Sequence, residues 1–169
     1  MKHVDPLEIT MTASISECGF YRYSLTRRWG AGKLLAFIML NPSKADAKIN
    51  DPTIKRCMAF ARRLGYAGII VMNLYGWRTK DPDELAKVGD PSGAENFVYL
   101  TALAKLCVSF DVPIVCAWGS SKYAAAAAPR VIQLLKDADA HAMCLKKTAK
   151  GMPWHPLYVP ANQEFEVFP

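Results

Sequence analysis

Four stretches of this chain are continuously apolar, and each gives way to a short polar motif. Residues 34–40 run into Asn41-Pro42-Ser43, and residues 69–72 into Asn73-Leu74-Tyr75. Residues 113–117 run into Trp118-Gly119, and residues 142–145 precede a loop carrying His155-Pro156-Leu157-Tyr158. Leu34-Leu35-Ala36-Phe37-Ile38-Met39-Leu40 lacks the alternation of a half-exposed strand, so it reads as a central strand buried on both faces. Helical spacing fills the intervals. Asp51-Pro52-Thr53 opens a helix, with Asp to cap free amides and Pro suited to the first turn. Ile54, Met58, Ala61 and Leu64 follow on one face, and Gly65 closes it. Asp90-Pro91 predicts a second helix over about residues 92–110, and a third is expected over residues 130–137. A helical turn is expected at residues 83–87, a strand within residues 19–29, and an arm or edge at residues 1–16. Strands alternating with helices predict one α/β domain: three α/β/α layers around a mostly parallel sheet of about four strands, with right-handed crossovers.

In such sheets, polar groups just beyond the carboxyl ends of strands share one crevice. Asn41, Asn73, Trp118-Gly119 and His155 are therefore expected to build a single site. The chain is long enough, at 169 residues, for one domain with a real core. The five cysteines form no C-x-x-C pair, and neither they nor the three histidines have zinc-ligand spacing, so reduced structural thiols and no metal are expected. No apolar run approaches the roughly 20 residues of a membrane span, and residues 1–6 carry no apolar signal core. A cytoplasmic protein is the expectation. The net charge of +6, from 21 Lys and Arg against 15 Asp and Glu, fits an anionic partner such as nucleic acid or a nucleotide.

The motifs, in this order, resemble an uncharacterised bacterial and phage family defined only as a domain of unknown function, DUF1643. They also resemble, more distantly, the uracil-DNA glycosylase superfamily. There a first strand ends in a water-activating Asn-Pro or Asp-Pro motif, and a later one in Leu-Leu-Asn, whose Asn reads the base. Another strand ends in Trp-Gly, and the last loop carries His-Pro-Ser. Asn41-Pro42, Met72-Asn73, Trp118-Gly119 and His155-Pro156 match these in sequence. Met39-Leu40 stands where the superfamily has Gly-x, and Leu157 stands in place of the Ser. The resemblance implies a uracil-DNA-glycosylase-like sheet and recognition of a nucleobase in DNA, with hydrolytic cleavage of its N-glycosidic bond.

Breaking that bond requires stabilising charge on the departing base and placing water near the sugar carbon. His155 is suited to donate to a base oxygen as charge develops there. Asn41 can hold water by its side-chain carbonyl, with Asp46 or Asp51 as general base. Asn73 offers one donor and one acceptor to a base edge, with Ser43 and Gly119 completing the base-binding set. Tyr75 or Trp77 would stack on a flipped base, and Leu157 or Tyr158 would fill its place in the duplex. Lys146, Lys147 and Lys150 would meet phosphate. Each residue also has a plain structural reading: a backbone bond for His155, a turn for Asn41, a helix cap for Asp51. Packing would account for Trp118, Tyr75 and Trp77, and a solvated face for the lysines. No Walker or Gly-x-Gly-x-x-Gly motif predicts a cofactor, and no Gly-x-Ser-x-Gly points to a serine hydrolase. An enzyme of free or modified nucleosides or nucleotides, and a non-catalytic nucleic-acid or nucleotide-binding module, are the alternative readings. Oligomeric state is left open.

Overall fold

The computed structural model describes residues 9–169, so the first eight residues of the expected arm lie outside it. Seven strands, β1 (Thr10–Ile15), β2 (Arg22–Arg28), β3 (Leu34–Met39), β4 (Gly68–Asn73), β5 (Ile114–Cys116), β6 (Ala142–Cys144) and β7 (Glu166–Val167), form one sheet in the order β1-β2-β4-β3-β5-β6-β7. The four expected strands are its contiguous parallel block, β4-β3-β5-β6. The expectation of about four mostly parallel strands needs correction. Three of the six pairings are antiparallel, because β1 and β2 extend one side of the block and β7 the other. Strand β1 is the edge that residues 1–16 foreshadowed, and β7 is too short for any periodicity to announce it.

Alternation along β3 divides the core. Leu35, Phe37 and Met39 pack with Ile54, Met58 and Phe60 of α1 (Pro52–Arg63) on one face. Ala36 and Ile38 pack on the other with Leu100 and Leu103 of α2 (Asn96–Phe110) and Val131 and Leu135 of α3 (Lys122–Asp137). Helices thus cover both faces, as fully buried strands require.

Helix α1 starts as predicted: Asp51 Oδ1 accepts from the Ile54 amide at 2.9 Å, and Pro52 occupies the first turn. Helix α2 does not start at Asp90-Pro91. Asp90 instead accepts from the Gly93 amide, and Gly93 adopts φ +83, which no helix accommodates. Helix α3 begins well before residue 130. Ser121 accepts from the Ala124 amide, and the alanine run favours helix strongly enough to carry the chain through Pro129, which forfeits only one ladder bond.

Gly68 starts β4 where β2 and β3 converge. A Cβ there would lie 2.3 Å from the Arg27 carbonyl oxygen and 2.5 Å from Leu34 Cδ2. Gly68→Ala is expected to cost about 2–3 kcal/mol in urea unfolding, because two strands must shift to admit it. An unchanged midpoint would show that the ends of β2 and β3 yield freely.

Candidate functional site

Three of the parallel strands end at one hollow. Asn41 and Ser43 follow β3, Asn73 ends β4, and Trp118 follows β5. All line a cavity of about 420 Å³ together with Asp51 at the start of α1 and His155, Leu157 and Tyr158 of the last loop. Its walls are tied to one another. Leu74 and Tyr75 amides donate to Met39 and Leu40 carbonyls, prolonging the β3–β4 pairing beyond the strands. The Thr79 amide donates to the Pro42 carbonyl at 2.9 Å, and Asn41 Nδ2 donates back to Thr79 O at 2.9 Å and to Pro42 O at 3.1 Å. Both N–H bonds of Asn41 are thereby spent on backbone, and its Oδ1 is the remaining acceptor. The turn expected at Asn41 exists, and it leaves Oδ1 without a hydrogen-bond partner among the described residues.

Asn73 is 1 % exposed, and its Nδ2 has no partner among the described residues. Its backbone carbonyl accepts from Asn96 Nδ2 at 2.9 Å, so a buried side chain of α2 fixes the strand end that presents it. Trp118 is both core and lining. It packs edge-on against Phe168, with ring centroids 5.5 Å apart, yet its buried indole Nε1 also lacks a partner. Buried donors are nearly always satisfied. The Asn73 and Trp118 donors are exceptions among the described residues, and both belong to side chains that line the hollow.

His155 caps a 3₁₀ turn over Pro156–Tyr158. Its Nδ1 accepts from the Leu157 amide at 3.2 Å, so the neutral ring carries its proton on Nε2. Burial pushes its pKa below the ordinary value and outweighs the opposing pull of Asp51. The ring is a neutral hydrogen-bond donor at pH 7. Leu157 and Tyr158 stand at the mouth, the tyrosine 75 % exposed.

Arg22, Thr79 and Lys80, which were not among the expected site residues, also line this hollow. Strand β2 runs antiparallel to β4, so its first residue falls at the carboxyl end of the parallel block. Arg22 is 2 % exposed, donates Nη1 to the Ala45 carbonyl at 2.8 Å, and leaves Nε unpartnered. Burial lowers its pKa to about 10, with Asp51 acting against the fall, so it stays charged at pH 7.

Other expected residues lie elsewhere. The Asp46 carboxylate accepts from the Lys48 and Ile49 amides, which lower its pKa; it shapes its loop and does not line the hollow. The Tyr75 ring is buried, and its hydroxyl donates to the Tyr123 carbonyl. Trp77 stacks on Phe20 at 5.2 Å and meets Tyr21 edge-on, away from the lining. Gly119 makes the tight turn, φ +79, with its amide bonded to Pro153 O, but does not line the hollow. Lys146 lies over the Trp154 ring, Lys147 reaches the Val167 carbonyl, and Lys150 is exposed; none lines the cavity.

Among the described residues no helix is long and apolar enough to cross a membrane, and no cluster of three or more His, Cys, Asp or Glu is placed to hold a metal ion. Cys57, Cys107, Cys116 and Cys144 are buried free thiols and Cys18 is an exposed one. A family model described as a protein of unknown function (DUF1643) matches residues 22–157. No curated protein and no solved structure matches the chain.

Proposed function

Because the chain belongs to DUF1643, a protein family of unknown function, the functional reading comes from the hollow itself, and we propose that it binds a nucleobase in DNA and hydrolyses its N-glycosidic bond. The observation that carries this is the unpartnered buried amide of Asn73 in the same cavity as the neutral His155 ring and the spare Asn41 oxygen. An amide and an indole N–H are suited to the polar edge of a base, and the cavity volume is in the range of small-ligand sites. The uracil-DNA-glycosylase-like motif order agrees with this set.

In the proposed reaction a water oxygen attacks the sugar carbon, and the bond to the base breaks with its electron pair passing to the base. His155 Nε2–H donates to the base oxygen on which that charge collects, and Asn73 holds the base edge. Asn41 Oδ1 orients the water, and Asp51 accepts its proton. The base leaves as its anion and takes a proton from solvent, to which Asp51 returns the proton it accepted, so the products are the neutral free base and an abasic sugar. Leu157 and Tyr158, exposed at the mouth, would occupy the space that a flipped base leaves in a duplex. A free nucleotide is the second reading, favoured by the cations described below.

The test is base release from labelled duplexes carrying uracil, hypoxanthine or other altered bases, beside the matching free nucleotides. Asn73→Ala is expected to reduce release about 100-fold, and undiminished release would remove Asn73 from base recognition. Asp51→Asn separates cap from chemistry. Both side chains cap helices equally well, so stability should change by less than about 0.5 kcal/mol while release falls about 100-fold. Loss of stability with full release would leave Asp51 as a cap alone. Absence of release from every substrate would refute the hydrolytic reading.

A further inference from the structure

We propose that Arg22, with Lys80 and Lys44 beside the entrance, forms an anion subsite that receives a phosphate of the ligand. The inference rests on the nucleobase reading for the identity of the ligand as a nucleotide, but its physical basis is separate.

Arg22 is a buried permanent cation that the described residues do not fully satisfy. It makes one described hydrogen bond, to Ala45 O, and its Nε has none. The described residues contain a single salt bridge, Arg63–Glu164, far along the chain from this strand, so Asp51 does not pair with Arg22 within 4 Å. A buried charge is ordinarily paired or multiply hydrogen-bonded, because its desolvation otherwise opposes folding. The guanidinium cannot escape by losing its proton at neutral pH. It lines the cavity, and an anion there would supply the missing acceptors.

The mouth carries the same sign. Lys80 lines the cavity, and Lys44 follows the lining residue Ser43 in the loop tied to Thr79; the charge of the neighbouring Lys44 lowers the Lys80 pKa. Two exposed flexible lysines have no local reason to stay together. They come from loops tied by the Pro42–Thr79 and Asn41–Thr79 bonds, which hold them at the same edge. A phosphate oxygen between them would relieve the repulsion, and the planar Arg22 guanidinium, which lines the same cavity, is suited to donate to such oxygens through its N–H groups. The phosphate is either the terminal group of a mononucleotide or a diester of a strand.

Titrations at low salt with inorganic phosphate, deoxyuridine, deoxyuridine 5′-monophosphate and a short single-stranded oligodeoxynucleotide test this. Inorganic phosphate should raise the thermal midpoint of the wild type, and Arg22→Gln should abolish that protection. The monophosphate should bind about tenfold more tightly than the nucleoside, an advantage that the Lys44→Ala/Lys80→Ala double variant should largely erase. Both lysines are exposed, so that variant keeps the test decisive even where Arg22→Gln does not fold. A strand whose salt slope falls by about 1.4 in the double variant, with no monomer advantage, assigns the phosphate to a diester and upholds the subsite. No phosphate-dependent gain with any probe overturns it, as does a gain untouched by both changes. Phosphate protection without base release would uphold the subsite and sink the hydrolytic reading; base release without any phosphate effect would do the reverse.

Discussion

Replacing His155 with alanine is expected to slow base release about 100- to 1,000-fold while leaving the fold in place. The size follows from removing one preorganised donor at the atom where charge develops, a loss of roughly 3–4 kcal/mol in barrier terms. The structural cost is smaller. The Leu157 amide loses the Nδ1 acceptor that caps its turn, which is worth about 1 kcal/mol, and the ring is only partly buried. Unfolding and turnover should therefore separate cleanly in this variant. Acid should reproduce the defect in the wild type. Burial holds the folded pKa of His155 below its ordinary value, so the unfolded chain takes up a proton first as pH falls. The stability contributed by the neutral ring is complete above about pH 6.5 and is lost as pH descends from there through the folded pKa. A proton on Nδ1 would face the Leu157 N–H and release the turn. Activity should be level near neutrality and fall on the acid side. Full activity in His155→Ala, or activity that rises with acid, would discard the role.

The largest stability effect is expected at Arg27. Its side chain is fully buried and donates to Asn50 Oδ1 and to the carbonyls of Thr12, Thr26, Asp46 and Ile49. These bonds tether the loop that leads from Asn41 to Asp51. Arg27→Met keeps much of the side-chain length and strands acceptors that lie partly out of reach of water. A loss of about 3 kcal/mol is expected, or roughly 6–12 °C in thermal midpoint for a chain of this size, checked by urea and thermal unfolding. Arg27→Lys should recover less than half, since an ammonium cannot reproduce the fork. A midpoint unchanged in Arg27→Met would mean that the Arg22–Ala45 bond and the ends of the loop suffice to hold it.

The strands with unbroken apolar runs and the cap at Asp51 were legible because each is specified by neighbouring residues. The convergence of Asn41, Asn73 and His155 was legible for a related reason: all three follow strands of one parallel block, and that topology directs their ends to the same rim. Arg22 was not. Its place depends on β2 reversing direction beside β4, a long-range pairing with no local signature, and a buried arginine is uncommon enough that an exposed one is the natural reading. Lys80 was hidden similarly, since its loop is tied to the one carrying Lys44 by long-range bonds of Thr79 to Asn41 and Pro42. The lysines at 146, 147 and 150 stand outside the lining although they precede His155 closely along the chain, and Trp77 is held by Phe20 and Tyr21, more than fifty residues away in sequence. The third helix was legible only over its second half, residues 130–137, because an alanine run gives no apolar periodicity to mark the turns between Lys122 and Pro129.

Helix α1 touches both sides of the hollow. Its first turn is capped by Asp51, while Arg56, one turn on, donates to the Pro156 carbonyl through Nε at 3.2 Å and to the Val159 carbonyl through Nη2 at 2.6 Å. The loop after β3 and the turn of His155 are thus bolted to one rigid rod, and neither jaw can swing without dragging on the other. Breathing of the cavity becomes a single cooperative event, and amides in the two loops should exchange with solvent at a common rate that slows together when either jaw is engaged.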